Sequence, residues 1–408
     1  MANMKFEKLL KECGDLFHYG CEVDKWLLEM VLLPYVALGW GQLPVWLRII
    51  APPSSGKSVH LSLVKDLATS YVVDEFTSKS FVSGFRGNNE DPSQLPLMNM
   101  KVLLVSDEST IMEQRREERS MIQAILRKAY DGSMTKAFGN IKKRVHHKAE
   151  FNILIASTPV IDRFYLYNQA LGERFINYRL QVPERREIAE KAMYNQSHNF
   201  KRRVGILGVK VKRYLKAVSR TPFNSVELSK KHQDQLVECA SFISLIRTHI
   251  TRDTSGRFIT VLPQPEVASR LVQQMSQVAV GNAIIRGKKC VTKDQIEKAV
   301  YIALCSAPSV TVYVLYTVWH MTKKRKKKWH STKDLVLATH IGQLGMRNII
   351  EDLCVHRVFK MKKGRSRGGR LIEYALSKYA LDAIEEIGLF KHYNHGMNVK
   401  QKRSKERR

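Results

Sequence analysis

Between Val45 and Val182 the chain alternates short, nearly continuous apolar runs with longer stretches whose apolar positions recur every three or four residues. The runs are Val45–Ile50, Tyr71–Val73, Val102–Val105 and Asn152–Ala156. A strand buried on both faces has no polar side, and strands separated by helices pair as parallel neighbours. Residues 44–182 are therefore expected to form an α/β domain around a parallel sheet. Upstream, residues 1–43 have room only for two short helices, around Phe6–Phe17 and Val23–Leu38, closed by Gly39-Trp-Gly41. From 183 to 308 the period is helical, and Thr292-Lys-Asp-Gln295 has the form of a capping box opening the amphipathic run Ile296, Ala299, Val300, Leu304. Residues 309–390 read helix, helix, helix, hairpin, helix. Ser331-Thr-Lys-Asp334 is suited to cap a short helix, Gly342–Leu353 supplies the next, and Phe359–Leu376 folds into two strands around Gly364-Arg-Ser-Arg-Gly-Gly369. That order is a winged helix-turn-helix, followed by a basic tail, 391–408, expected to be disordered.

Charge adds a partner to this picture. The 408 residues carry a formal charge of +30, and residues 321–408 hold 23 Lys and Arg against 8 Asp and Glu, half of the excess. Such a field implies an anionic partner, nucleic acid by default, gathered by the last fifth of the chain. The run Lys323–Lys328 fits a DNA-facing linker or a nuclear signal equally well. Cys13, Cys21, Cys239, Cys290, Cys305 and Cys354 show neither paired nor zinc-type spacing, which fits a reducing interior with no structural metal. The N-terminus has no signal-type apolar core, and the longest apolar stretch, Leu27–Trp40, is broken by Pro34. The expectation is a soluble protein, cytoplasmic and nucleoid-associated, with no membrane partner.

Candidate chemistry sits at the ends of the apolar runs. Directly after Val45–Ile50 comes Ala51, Pro52, Pro53, Ser54, Ser55, Gly56, Lys57, Ser58, the order of a P-loop. Backbone amides of such a loop cradle phosphates, Lys57 reaches the β/γ-phosphates, and the Ser58 hydroxyl ligates Mg²⁺. Ala51 stands where the strict pattern has Gly. After Val102–Val105 comes Ser106-Asp107-Glu108, a Walker B arrangement in which Asp107 organises Mg²⁺ and Glu108 polarises the attacking water. The run ending at Ala156 leads into Ser157-Thr158-Pro159; a small hydroxyl here can bond the γ-phosphate or the water, with Thr158 favoured over Ser157. Between these runs, Ser133–Val145 alternates around Gly139-Asn140 as a hairpin whose Lys136, Lys142, Lys143 and Arg144 either grip a phosphate backbone or form a solvated rim. Arg174, in Gly-Glu-Arg-Phe, has the planar fork that stabilises a transferring phosphoryl group across a subunit interface; Arg163 is the alternative, and a structural salt bridge the simpler role.

In this order the motifs resemble AAA+ ATPases of the helicase clade that carry a hairpin before sensor 1, above all the catalytic part of minichromosome-maintenance helicases. The chain also resembles an uncharacterised group of AAA+ proteins of phages and mobile elements. The resemblance spans roughly 44–390. It implies an AAA+ core with parallel sheet, a helical lid over 183–308, and a C-terminal winged helix. It also implies Thr158 as sensor 1, Arg174 as arginine finger, Arg270 as the sensor 2 arginine of the lid, and a pore-lining hairpin. The large N-terminal region of those helicases has no counterpart in the stretch before the P-loop, so DNA docking would fall to the C-terminal unit.

There, Gln343, Arg347 and Asn348 are the expected contacts of the groove-facing helix, and Lys360, Lys362, Lys363, Arg365, Arg367 and Arg370 those of the wing. The resulting expectation is an ATP- and Mg²⁺-dependent DNA motor. It would be a replicative helicase or initiator of a phage or mobile element, built as a homo-oligomeric, hexameric ring. The alternatives are a nucleotide-controlled winged-helix regulator and a transposition or recombination ATPase without unwinding activity.

Overall fold

The computed structural model describes residues 5–83, 91–138, 144–164, 174–248, 250–261, 263–325, 328–366 and 369–393. They form two units. The first comprises residues 1–228 with 277–295, the second 229–276 with 296–395.

The first unit is an α/β fold. Strands β1 (Trp46–Ile50), β2 (Ser70–Val72), β3 (Val102–Val105), β6 (Asn152–Ser157) and β7 (Phe175–Arg179) make one parallel sheet in the order β2-β3-β6-β1-β7. Four of these strands lie within a residue of the sequence expectation. The fifth, β7, was not among the expected runs, because Asn177 and Arg179 break its apolar sequence. Inserted between β3 and β6 is an antiparallel pair, β4 (Ser133–Lys136) with β5 (Val145–Lys148). The first arm is where the alternation placed it, the second begins at Val145, the last residue of the expected hairpin, and the expected turn at Gly139-Asn140 lies outside the described residues.

Side-chain alternation gives the sheet two apolar faces. On one, Trp46, Leu103, Val105, Ile153 and Ile155 pack with Ile122, Ile125, Leu126 and Ala129 of helix Arg116–Tyr130, the spacing that puts apolar residues on a single helix stripe. The N-terminal segment anticipated as one helix over Val23–Leu38 is two, Glu22–Lys25 and Leu27–Val36. The second is buried at every position, as a helix almost entirely apolar must be, and its one charge, Glu29, is paired with Arg286. Asn152 ties it to the sheet: its Oδ1 accepts from Val45 N at 2.8 Å and its Nδ2 donates to Pro34 O at 2.7 Å. The same N-terminal segment reaches the end of β7, where the Asp24 carboxylate accepts from Gln181 N and Val182 N, and Tyr178 donates to Val23 O at 2.6 Å. Gly281, on helix Ser269–Ile285, allows close approach to this segment, since a Cβ there would overlap Leu33 Cδ1. The expected box at Thr292 is present, with Thr292 N donating to Gln295 Oε1 at 3.0 Å.

The second unit holds helices Lys230–Arg247, Ser309–Arg325, Thr332–Thr339, Gln343–Val355 and Lys378–Ile387. It also holds a small antiparallel sheet of β8 (His330–Ser331), β10 (Gly369–Leu376) and β9 (Phe359–Ser366) in that order. Helix Thr332–Thr339 starts at a capping box, Ser331 Oγ accepting from Asp334 N and Asp334 Oδ2 from Ser331 N. It stops at His340, whose φ of 58° is left-handed, and helix Gln343–Val355 begins three residues later. Among the described residues no single helix is long and apolar enough to cross a membrane.

Candidate active site

Every strand of the parallel sheet points the same way, so all their C-terminal ends meet along one edge. Strand β1 delivers Ala51–Ser58 there, β3 delivers Ser106–Glu108, and β6, which lies between them, delivers Thr158. The chain leaves β1 for the far edge of the sheet at β2 and later crosses back past β1 to form β7. A ligand site in an open parallel sheet forms outside the strand ends at such a switch in order.

The loop has the backbone conformation of an anion nest. Ser54 has φ 61° and Gly56 φ 85°, and left-handed residues alternating with ordinary ones turn successive amides toward one concave side. Helix Lys57–Ser62 follows directly. Gly56 is the natural occupant of its conformation; Ser54 bears a strain that such sites commonly store. The buried Ser55 Oγ has no hydrogen-bond partner. Lys57 is folded back on the loop, its Nζ donating to Ala51 O at 2.5 Å and Pro52 O at 2.9 Å. Burial lowers the Lys57 pKa, and the Asp107 carboxylate near it acts in the opposite sense. An ammonium whose hydrogen bonds go to two backbone carbonyls can exchange them for a phosphate oxygen. Ser58 and Asp107 are both exposed, Asp107 being held by one bond from Ser109 N at 2.9 Å. One hydroxyl and one carboxylate match Mg²⁺, which takes few protein ligands and completes its shell with phosphate and water.

Behind the loop, His60 fixes Gly56. Its Nδ1 lies 2.9 Å from Gly56 O, its Nε2 2.8 Å from the Tyr19 hydroxyl, and its ring 4.1 Å from that of Phe17. Burial pushes the imidazole pKa down to about 4, so the neutral ring donates to Gly56 O and accepts from Tyr19. Nothing in the motif signals this support beyond a histidine one helical turn after Gly56.

Glu108 is placed differently from its expected role. It is buried, and both carboxylate oxygens are engaged by Arg48 of β1, Nε to Oε2 at 2.7 Å and NH2 to Oε1 at 2.7 Å. Arg48 also donates to Asn177 Oδ1 and stacks over Phe175, its guanidinium carbon 4.2 Å from the ring centre. The pair closes an apolar pocket lined by Phe76, Leu103, Ile122 and Ile153. A lone arginine inside the apolar run Val45–Ile50 signals that some buried partner is needed, since a buried charge requires one, but does not say which. A second pair stands at the same edge: Arg179, opposite Ile50, bonds both oxygens of Asp162, at 3.0 and 2.5 Å.

Ser157 is buried at the last position of β6, and half-buried Thr158 follows it. Arg174 is not brought to this edge. It precedes Phe175, which pairs with Trp46 at the start of β1, so it lies at the opposite end of the strands from its own P-loop. There it lines a cleft of about 550 Å³ together with Arg127, Lys128, Asp131 and Lys136. Its guanidinium is 3.8 Å from the Asp131 carboxylate and 5.4 Å from the Tyr130 ring centre. Arg163 is exposed. Arg270 lies half-buried on the first turn of helix Ser269–Ile285, within the second unit.

Of the basic residues expected to meet nucleic acid, Lys136 sits at the end of β4 with its Nζ 5.0 Å from the Phe138 ring centre, and Arg144 is exposed. Lys142 and Lys143 lie outside the described residues. On helix Gln343–Val355, Gln343 and Arg347 are exposed, Arg347 bonded to Glu351 at 2.8 Å, and Asn348 is half-buried. Lys360, Lys362 and Lys363 are exposed on β9; Lys362 bridges to Glu373 at 3.2 Å and lies 4.4 Å from the Trp329 ring centre, with Lys360 at 5.6 Å. Arg367, the side chains of Arg365 and Arg370, and the tail from 394 onward lie outside the described residues. No protein-family model matches this chain, and no curated protein matches it.

Proposed function

We propose that the chain is an ATP-hydrolysing, AAA+-type DNA motor, a ring-forming helicase or replication initiator. The observation carrying this reading is the meeting of a P-loop, an acid and a hydroxyl along one sheet edge. They arrive in the strand order β2-β3-β6-β1-β7, with a basic hairpin inserted just before the strand that leads into Thr158. Loop 51–58 would hold the phosphates of ATP, Lys57 exchanging the carbonyls of Ala51 and Pro52 for a phosphate oxygen. Ser58 and Asp107 would hold Mg²⁺, which when bound offsets charge on the phosphates. Thr158 orients the attacking water.

Glu108 can take the water's proton only after Arg48 lets it go, because both its oxygens are occupied in this conformation. Arg174, remote from its own loop, serves a neighbouring copy, and the cleft it shares with Arg127, Lys128 and Lys136 provides the positive surface for that contact. Arg270 has the lid role. The C-terminal helices and sheet act as a winged helix docking DNA, with Lys136, Arg144 and their neighbours contacting the translocating strand.

The engagement of Glu108 favours a second reading, a regulator in which nucleotide controls assembly on DNA and turnover is slow. Strand displacement on forked DNA, measured beside DNA-stimulated ATP hydrolysis, separates the two. The motor reading expects both activities; robust stimulated hydrolysis without displacement removes the helicase and leaves the regulator or recombination ATPase.

A further inference from the structure

In the second unit, the segment leading from helix Lys230–Arg247 to helix Ser269–Ile285 contains a structured hairpin that the motif reading leaves without a role. Thr260 N donates to Thr251 O at 3.0 Å and Asp253 N to Phe258 O at 2.9 Å, pairing the two arms. The turn is locked by Asp253, whose Oδ1 accepts from Arg257 N and Phe258 N at 2.7 and 3.0 Å and whose Oδ2 accepts from Ser255 Oγ. Gly256 adopts the left-handed φ of 68° that the turn needs. These bonds hold the Asp253 carboxyl below its usual pKa. The result is a stiff tip whose exposed side chains include Arg257 and Phe258, the latter 71% exposed, beside Thr254, Ser255 and Ile259.

The hairpin is fastened along helix Gln343–Val355. Arg252 bonds Asp352 at 2.5 Å and approaches Glu351 at 3.6 Å and Asn348 O at 3.4 Å, Gly256 lies beside the Asn348 side chain, and His356 faces the Thr248 backbone. Positions 348, 352 and 356 are spaced by four and form one stripe of the helix. The hairpin covers that stripe and leaves Gln343, Leu344 and Arg347 exposed. It also runs from the C-terminal end of the helix toward the N-terminal half, the part that enters the major groove in a helix-turn-helix.

We infer that the Thr251–Thr260 hairpin is a second wing for duplex DNA, with Arg257 on a backbone phosphate and Phe258 packed on sugar and base edges of the adjoining minor groove. This rests on the reading of helix Gln343–Val355 as the groove-facing helix. Duplex DNA is the occupant because of charge: the helix's own Arg347 is offset by Glu351, so phosphate attraction beside the groove must come from flanking elements, and the tip presents an uncovered arginine next to an aromatic wedge.

The test uses the full-length protein and a fluorescein-labelled duplex, read by anisotropy across a salt series. Arg257→Ala is expected to weaken binding and to flatten the slope of log affinity against log salt by about 0.9, the share of one phosphate contact. Phe258→Ala is expected to weaken binding about tenfold with the slope unchanged. Gln343→Ala and Lys363→Ala serve as controls on the helix and β9. If the controls weaken binding while both hairpin variants match the parent in affinity and slope, the second wing is wrong and the groove-helix reading stands. If the controls bind as the parent does, the groove-helix reading itself fails. A photo-crosslinking p-benzoylphenylalanine at position 258, which needs no loss of affinity to report, is expected to capture DNA; capture of a second copy of the chain alone overturns the proposal.

Discussion

Arg48 occupies the centre of a strand whose other members, Trp46, Leu47, Ile49 and Ile50, are all buried and apolar, and it is tolerated there because Glu108 meets it with both oxygens. Removing one member of a buried pair strands the other charge, so Arg48→Met is expected to destabilise the first unit by about 3–5 kcal/mol, while Arg48→Met with Glu108→Leu recovers most of the loss. Urea unfolding of the single and double variants measures this. Glu108→Gln provides the activity counterpart, with an expected fall in ATP turnover of about 100-fold if the carboxylate serves as base once released. His60 sets a pH dependence. Its folded pKa, about 4, lies below the ordinary 6.5, so as pH falls the unfolded chain takes up the proton first. The stability present above pH 6.5 is therefore lost between 6.5 and 4, by about 3 kcal/mol. Unfolding curves across that window should show the slope, and His60→Gln, which cannot titrate, should remove this part of it.

At the scale of elements, close approach between helices is the constraint most easily broken. Gly281→Val places a branched side chain against fully buried Leu33, and overpacking of this kind costs about 1–3 kcal/mol, readable as a lowered thermal midpoint. The apolar runs of β1, β3 and β6 were legible because buried parallel strands leave little room for polar residues, the shorter run at β2 from its aromatic and β-branched members, and the β4–β5 pairing and the box at Ser331 from local alternation and cap chemistry. Strand β7 was hidden because its polar members, Asn177 and Arg179, are satisfied by Arg48 and Asp162, partners distant in sequence. The loop and acids of the candidate site could be read in sequence because they are contiguous. The engagement of Glu108, the support of Gly56 by His60 and the hairpin over Thr251–Thr260 could not, since each depends on which elements the fold brings together.

For the whole molecule, Arg174 lies at the far end of the strands from loop 51–58, and on the proposed reading one copy's arginine would complete another copy's site. Arg174→Ala and Lys57→Ala are each expected to be inactive alone, and mixing the two should restore part of the turnover by forming interfaces with an intact loop on one side and an intact arginine on the other. Mixtures no more active than the separate variants would place Arg174 outside the site. A formal charge of +30 further predicts affinity for DNA that falls steeply with salt, measurable as the slope of log affinity against log salt. The central claim, a nucleotide-driven DNA motor, is tested most directly by steady-state ATP hydrolysis of the purified full-length protein with and without DNA, beside Lys57→Ala. The account predicts Mg²⁺-dependent turnover that DNA stimulates and that Lys57→Ala abolishes; a parent protein that neither binds nor hydrolyses ATP, with DNA present and Mg²⁺ in excess, would contradict it.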